Sequence, residues 1–271
     1  MIEANPSSPS PPADPPTILY VGVARPIAAF IATRVPGFGD VGSRRTAIVE
    51  ILTFTLLYAG LLFLAAFVAV GLGVHDERWL NVYGGTFAGL GMLVAIVMLH
   101  RIRGLPLSVS GFRADSLFLE AVLGASLTLL TLAVCGLLAV ALFVLVPGLS
   151  AEMQQTQETI QRSFPRMSRG HLVLMSAWVA VFEEAVFRGF LLPRLRLLVR
   201  WWPAAIVIGS GAFALLHLYQ GAFAAGIVFV LGVAFGAVFV WRRSVAPVIV
   251  WHFLFNSVQL LLLCEAASDW R

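Results

Sequence analysis

The chain has 271 residues, of which 59% are hydrophobic and only 12% charged, with a mean hydropathy of +0.91. Soluble domains carry about 25% charged residues, so this chain lacks the polar surface that coats a water-soluble globule and reads as a membrane protein. Its net charge of +4 rests on arginines alone, strung between apolar runs and not gathered in one stripe, which argues against a nucleic-acid binder.

Taken in chain order, residues 1–17 are proline-rich and carry Glu3 and Asp14 where a secretory signal would show a basic start and an apolar stretch. They predict a disordered tail. Residues 18–43 are moderately apolar but broken by Pro26, Pro36 and several glycines, with Arg25 and Arg34 among them, and predict an interfacial segment. Residues 44–265 predict an all-α fold, a polytopic transmembrane helix bundle of about seven spans (six to eight). A hydrocarbon core of about 30 Å needs about 20 apolar helical residues, and the qualifying stretches are 47–74, 80–99, 117–146, 171–190, 204–218, 223–241 and 245–264. The fifth is short for a full crossing, and the third is long enough to tilt or to continue outside the membrane. Cys135 and Cys264 lie inside apolar runs, so neither a disulfide framework nor a cysteine metal motif is present.

Cytoplasmic loops are enriched in arginine. Placing Arg44, Arg45, Arg101, Arg103, Arg113, Arg194, Arg196, Arg200, Arg242 and Arg243 inside puts the N-terminus inside and the C-terminus outside. Gly85 with Gly89, and Gly232 with Gly236, have the spacing that lets helix backbones approach, here within one bundle.

An ionisable group in hydrocarbon costs at least a few kcal/mol, so those that cannot reach the interface are functional candidates. Glu50, Glu120, His75, His100 and His171 lie near segment ends and read as interfacial. Three places remain: Glu183, Glu184 and Arg188 in FEEAVFRGF, His217 in FALLH, and His252 with Asn256 in HFLFN. Adjacent carboxylates on a helix point about 100° apart. Arg188 follows Glu184 at the spacing of a helical ion pair, which makes Glu184 the charged structural member and leaves Glu183 free to act as a general base. His252 and Asn256 share one helix face.

Glu, two His and Asn without a nucleophilic Ser or Cys suit water activation. A carboxylate takes the proton, one His relays it, and the other His and the Asn donate to the oxyanion. A zinc site built from Glu183, His217 and His252 is the alternative, although no H-E-x-x-H is present.

EExxxR, FxxxH and HxxxN, in this order on successive apolar segments, resemble the CPBP (CAAX protease and bacteriocin-processing, Abi) family of intramembrane proteases, which includes type II CAAX prenyl endopeptidase. The resemblance places a catalytic core at 171–262 within the bundle. It implies an intramembrane endopeptidase whose catalytic residues are Glu183, His217, His252 and Asn256, supported by Glu184 and Arg188. The family has been described both as metal-dependent and as metal-free; the metal-free reading is favoured here, with no cofactor, because Asn256 suits an oxyanion better than zinc. Implied partners are a peptide or protein substrate in the membrane and the lipid bilayer. The all-arginine basic complement points to a bacterial cytoplasmic membrane, where leader-peptide processing competes with CAAX-type cleavage. A non-catalytic bacteriocin-immunity or membrane scaffold protein is the alternative. One tension remains: counted from opposite ends of their segments, Glu183 and His217 differ in depth by about 8 Å, so the fifth segment is expected to tilt or to start deep.

Overall fold

The computed structural model describes residues 38–145 and 149–266; the expected 1–17 tail and most of the 18–43 interfacial segment lie outside the described residues. The described residues belong to one unit, Val35–Arg271, and among them no strand occurs. The elements are α1 (Arg44–Gly71), α2 (Glu77–Ile102), α3 (Leu117–Leu145), α4 (Leu149–Ser163), α5 (Arg169–Glu184), a π-helical turn (Ala185–Leu191), α6 (Leu192–Val199), α7 (Trp202–Leu215), a short 3-10 turn (Leu218–Gln220), α8 (Ala222–Arg242) and α9 (Ala246–Ala266).

Six of these stretches are long and apolar enough to cross a membrane, with α5, the π turn and α6 forming one continuous stretch, Arg169–Val199. The chain is thus an all-helical, polytopic bundle. The fifth expected span is α7, whose 14 residues reach only about 21 Å, short of a full crossing. On α1, Leu56, Phe63 and Phe67 are each more than 70% exposed, a surface that only lipid can cover at low cost.

Local signals set the helix starts. Ser43 accepts from the Thr46 backbone N–H at 3.2 Å, Asp76 from Arg78 at 2.9 Å and Ser168 from His171 at 3.3 Å, each satisfying an N-terminal donor that the helix leaves open. Positive φ at Arg200 (61°) and Arg243 (55°) turns the chain after α6 and after α8.

Glycine spacing is used for helix contact, but not at every expected place. Cβ atoms at Gly232 and Gly236 would sit 3.1 and 3.0 Å from Ser210 and Ile206, so these two let α8 lie against α7. A Cβ at Gly89 would meet the Phe182 ring, whereas one at Gly85 would meet nothing within 4 Å. Gly124 of α3 lies against the Pro247 carbonyl, 2.5 Å from where its Cβ would be, and Trp251 Nε1 donates to Thr131 Oγ1 at 3.0 Å. Together these hold α9 against α3.

Three groups expected at the interface are instead buried inside the protein: Glu50 (6% exposed), His100 (2%) and Glu120 (4%). Glu50 binds Arg194 at 2.7 Å and pairs with Arg103, and Glu120 accepts two bonds from Arg242. His100 bonds Ser110 at 2.9 Å and the Ile96 carbonyl at 2.8 Å. Counting depth along single helices misses this, because Arg194 and Arg242 come from elements more than a hundred residues away.

Candidate active site

Glu183 and Glu184 close α5, immediately before the π turn. A π turn widens the helix and rotates the residues that follow it; such turns recur at functional sites. Here Gly189 allows it: its Cβ would sit 2.8 Å from the Phe112 ring and 3.3 Å from the Ser110 carbonyl.

Glu184 is fully buried, with Arg188 Nη1 donating to its Oε1 at 2.9 Å and His252 Nδ1 2.8 Å from the same oxygen. The ion pair expected from the four-residue spacing is present. Arg188 also donates to the Gly232 carbonyl at 3.1 Å, and its guanidinium lies 4.7 and 5.2 Å from the ring centres of Phe213 and Phe235. A buried cation is tolerated only with such compensation.

Glu183 differs from its neighbour. Its side chain keeps 15% of its surface accessible, against none for Glu184; its Oε2, like that of Glu184, is buried without a hydrogen-bond partner. His252 Nε2 lies 3.8 Å from that oxygen, too far for a hydrogen bond. His252 therefore stands between the two carboxylates, its Nδ1 edge bound to Glu184 and its Nε2 edge turned to Glu183. A Glu184 carboxylate accepting from Nδ1–H orients the imidazole, as carboxylate partners of histidine do elsewhere.

His217 is brought to Glu183 by helix register. Phe187 and Phe213 meet edge to face at 4.8 Å; α7 runs antiparallel to the Arg169–Val199 stretch, so four residues back on one side and four on along the other lie Glu183 and His217. The Phe213 ring is 4.7 Å from His217 and 6.2 Å from His252, and both histidines interact electrostatically with Glu183. α7 begins at Trp202, so the fifth segment does not start later than expected, and His217 lies just past its end. His217 Nδ1 lies 2.8 Å from the Phe213 carbonyl; since a carbonyl can only accept, Nδ1 carries the proton and Nε2 is left as an acceptor.

Asn256 lies one turn beyond His252 on α9 and is half-buried. Phe213, Phe235 and the Gly232 carbonyl surround Arg188 without any polar signal in the sequence; only their proximity in the fold reveals them. Both histidines engage Nδ1 and leave Nε2 to the site, which is also how zinc-bound histidines are held; among the described residues, however, no three His, Cys, Asp or Glu side chains gather closely enough to hold a metal ion.

Residues 165–258 match the family model described as Type II CAAX prenyl endopeptidase Rce1-like. No curated protein and no solved structure matches the chain significantly. The matched stretch contains all three motifs and agrees with the family that those motifs resemble. The match covers about a third of the chain; with six helices long and apolar enough to cross a membrane, the chain is an integral membrane protein that is similar over that stretch to CAAX-type proteases.

Proposed function

We propose that the protein is an intramembrane endopeptidase that hydrolyses a peptide bond by water activation at Glu183. The observation that carries this is the unpartnered Glu183 Oε2 facing His252 Nε2 across 3.8 Å. Groups so far apart do not hydrogen-bond each other directly, so Glu183 keeps acceptor capacity for a water and His252 Nε2 is left to face the oxyanion.

In this reading Glu183 accepts the proton of water as the hydroxyl attacks the peptide carbonyl. His217, with Nε2 open, shares that proton and delivers it to the departing amine. His252 and Asn256 donate to the oxyanion. Glu184 carries the countercharge for His252 while remaining paired to Arg188. To donate from Nε2 while its Nδ1–H stays on Glu184, His252 takes part in this step as an imidazolium. No step requires a metal or other cofactor. The substrate is a membrane-held peptide or protein, with cleavage of the CAAX or leader-peptide kind, and the setting is a bacterial cytoplasmic membrane with the N-terminus inside.

The test compares peptide products released from membranes that carry the wild type with those from membranes that carry Glu183→Gln. Products that depend on Glu183 are expected; identical product sets refute an enzymatic role and favour a scaffold.

A further inference from the structure

The matched family segment begins at residue 165, yet α1, a hundred residues upstream, packs against α6, at the end of the continuous stretch that carries Glu183. Its register is fixed by two contacts. Glu50 binds Arg194 at 2.7 Å, and Phe54, one turn on, stacks on Phe190, one turn back, with ring centres 3.9 Å apart. One more turn brings Tyr58 beside Val186. Both pack against the same cluster of Phe54, Met92, Ile96, Ala185 and Phe190. Val186 lies three residues past Glu183, within the π turn that follows it.

Tyr58 is half-buried and interacts electrostatically with both Glu183 and Tyr219. Tyr219 belongs to the 3-10 turn after His217, with its ring stacked at 6.4 Å on the His217 ring. Two phenols from distant parts of the chain thus interact with one carboxylate whose buried Oε2 has no hydrogen-bond partner. They are not equivalent. Tyr219 is 58% exposed and accepts from Gln220 Nε2 at 2.8 Å, whereas for Tyr58 no hydrogen bond occurs among the described residues. A half-buried phenol in an apolar wall leaves its O–H unsatisfied unless something in the site accepts it.

We infer that Tyr58 is a positioning residue of the active site, its O–H donating to the water held at Glu183 Oε2 and fixing the lone pair that attacks the peptide carbonyl. The inference rests on the endopeptidase reading. It makes the site a product of both halves of the chain: the matched segment supplies acid, base and oxyanion donors, and α1 supplies the fourth wall and a hydroxyl. No covalent step is added, because the phenol keeps its proton throughout.

The experiment uses full-length protein in proteoliposomes, with two quenched-fluorescent probes, a farnesylated peptide ending in a CAAX sequence and a leader-type peptide. Wild type, Tyr58→Phe, Tyr83→Phe and Glu183→Gln are compared for kcat, KM and thermal melting. Tyr83, on α2 and stacked on Trp79 at 5.3 Å, controls for loss of a phenol elsewhere. The expected result is a kcat about 10-fold lower in Tyr58→Phe, the effect of one neutral hydrogen bond, with KM and melting unchanged and Tyr83→Phe equal to wild type. A structural role would move melting and leave kcat per folded molecule intact. Wild-type kcat in Tyr58→Phe, while Glu183→Gln is inactive, overturns the Tyr58 inference and spares the endopeptidase reading. Glu183→Gln as active as wild type, or no Glu183-dependent cleavage of either probe, overturns both.

Discussion

Glu183 and Glu184 are chemically identical and adjacent, yet their surroundings separate them. Glu184 has Arg188 and His252 on one oxygen and no access to solvent; Glu183 has neither an ion pair within hydrogen-bond reach nor a fully buried side chain. In the proposed mechanism, this difference assigns them a structural and a reactive part. Replacing Glu184 with Gln removes the countercharge of a fully buried arginine, and leaving one partner of a buried pair uncompensated costs about 3–5 kcal/mol. Glu184→Gln is therefore expected to melt well below the wild type in detergent, as well as to lose activity. Melting at the wild-type temperature would show that Gly232 and the two phenylalanine rings suffice for Arg188. The Glu184–Arg188 pair was legible in the sequence because i,i+4 spacing is a local rule. The bond from His252 to Glu184 was not, because it joins residues 68 apart.

At the scale of elements, the site depends on a short helix and a widened one. α7 ends just before His217, and the π turn follows the two glutamates directly. Apolar runs revealed the helices and even the shortness of the fifth. The π turn left no sequence signature, since it follows from packing of Gly189 under Phe112. The burial of Glu50 and Glu120 was not legible either: their arginine partners lie on other helices, and burial with a partner looks the same in sequence as exposure at an interface. His252 depends on α9 being held against α3 through Gly124. A methyl at that glycine would fall 2.5 Å from the Pro247 carbonyl and 2.8 Å from Val250, and such overpacking costs about 1–3 kcal/mol. Gly124→Ala should lower the melting temperature and reduce activity through His252, whereas Gly60→Ala, which meets nothing within 4 Å, should do neither. Equal melting of the two variants would mean that α9 adjusts freely.

At the scale of the whole molecule, the protein is a lipid-covered bundle in which charged groups are grouped in pairs within the interior. Buried ion pairs join α1 to α6 and α3 to α8, and a third, at Glu184 and Arg188, borders the site. The bundle architecture was legible because composition and apolar runs state it directly, and the similarity to the matched family model was legible because three motifs fall in order. The contribution of α1 was not, since its Glu50, Phe54 and Tyr58 acquire meaning only once the register against the Glu183 helix is known. The most direct measurement of the central claim is the cleavage rate of purified, reconstituted Glu183→Gln beside wild type of equal melting temperature. Removal of a general base costs about 10²- to 10⁴-fold, so a fall in kcat of that size with the fold intact is predicted. A Glu183→Gln protein that cleaves at the wild-type rate would contradict water activation at Glu183.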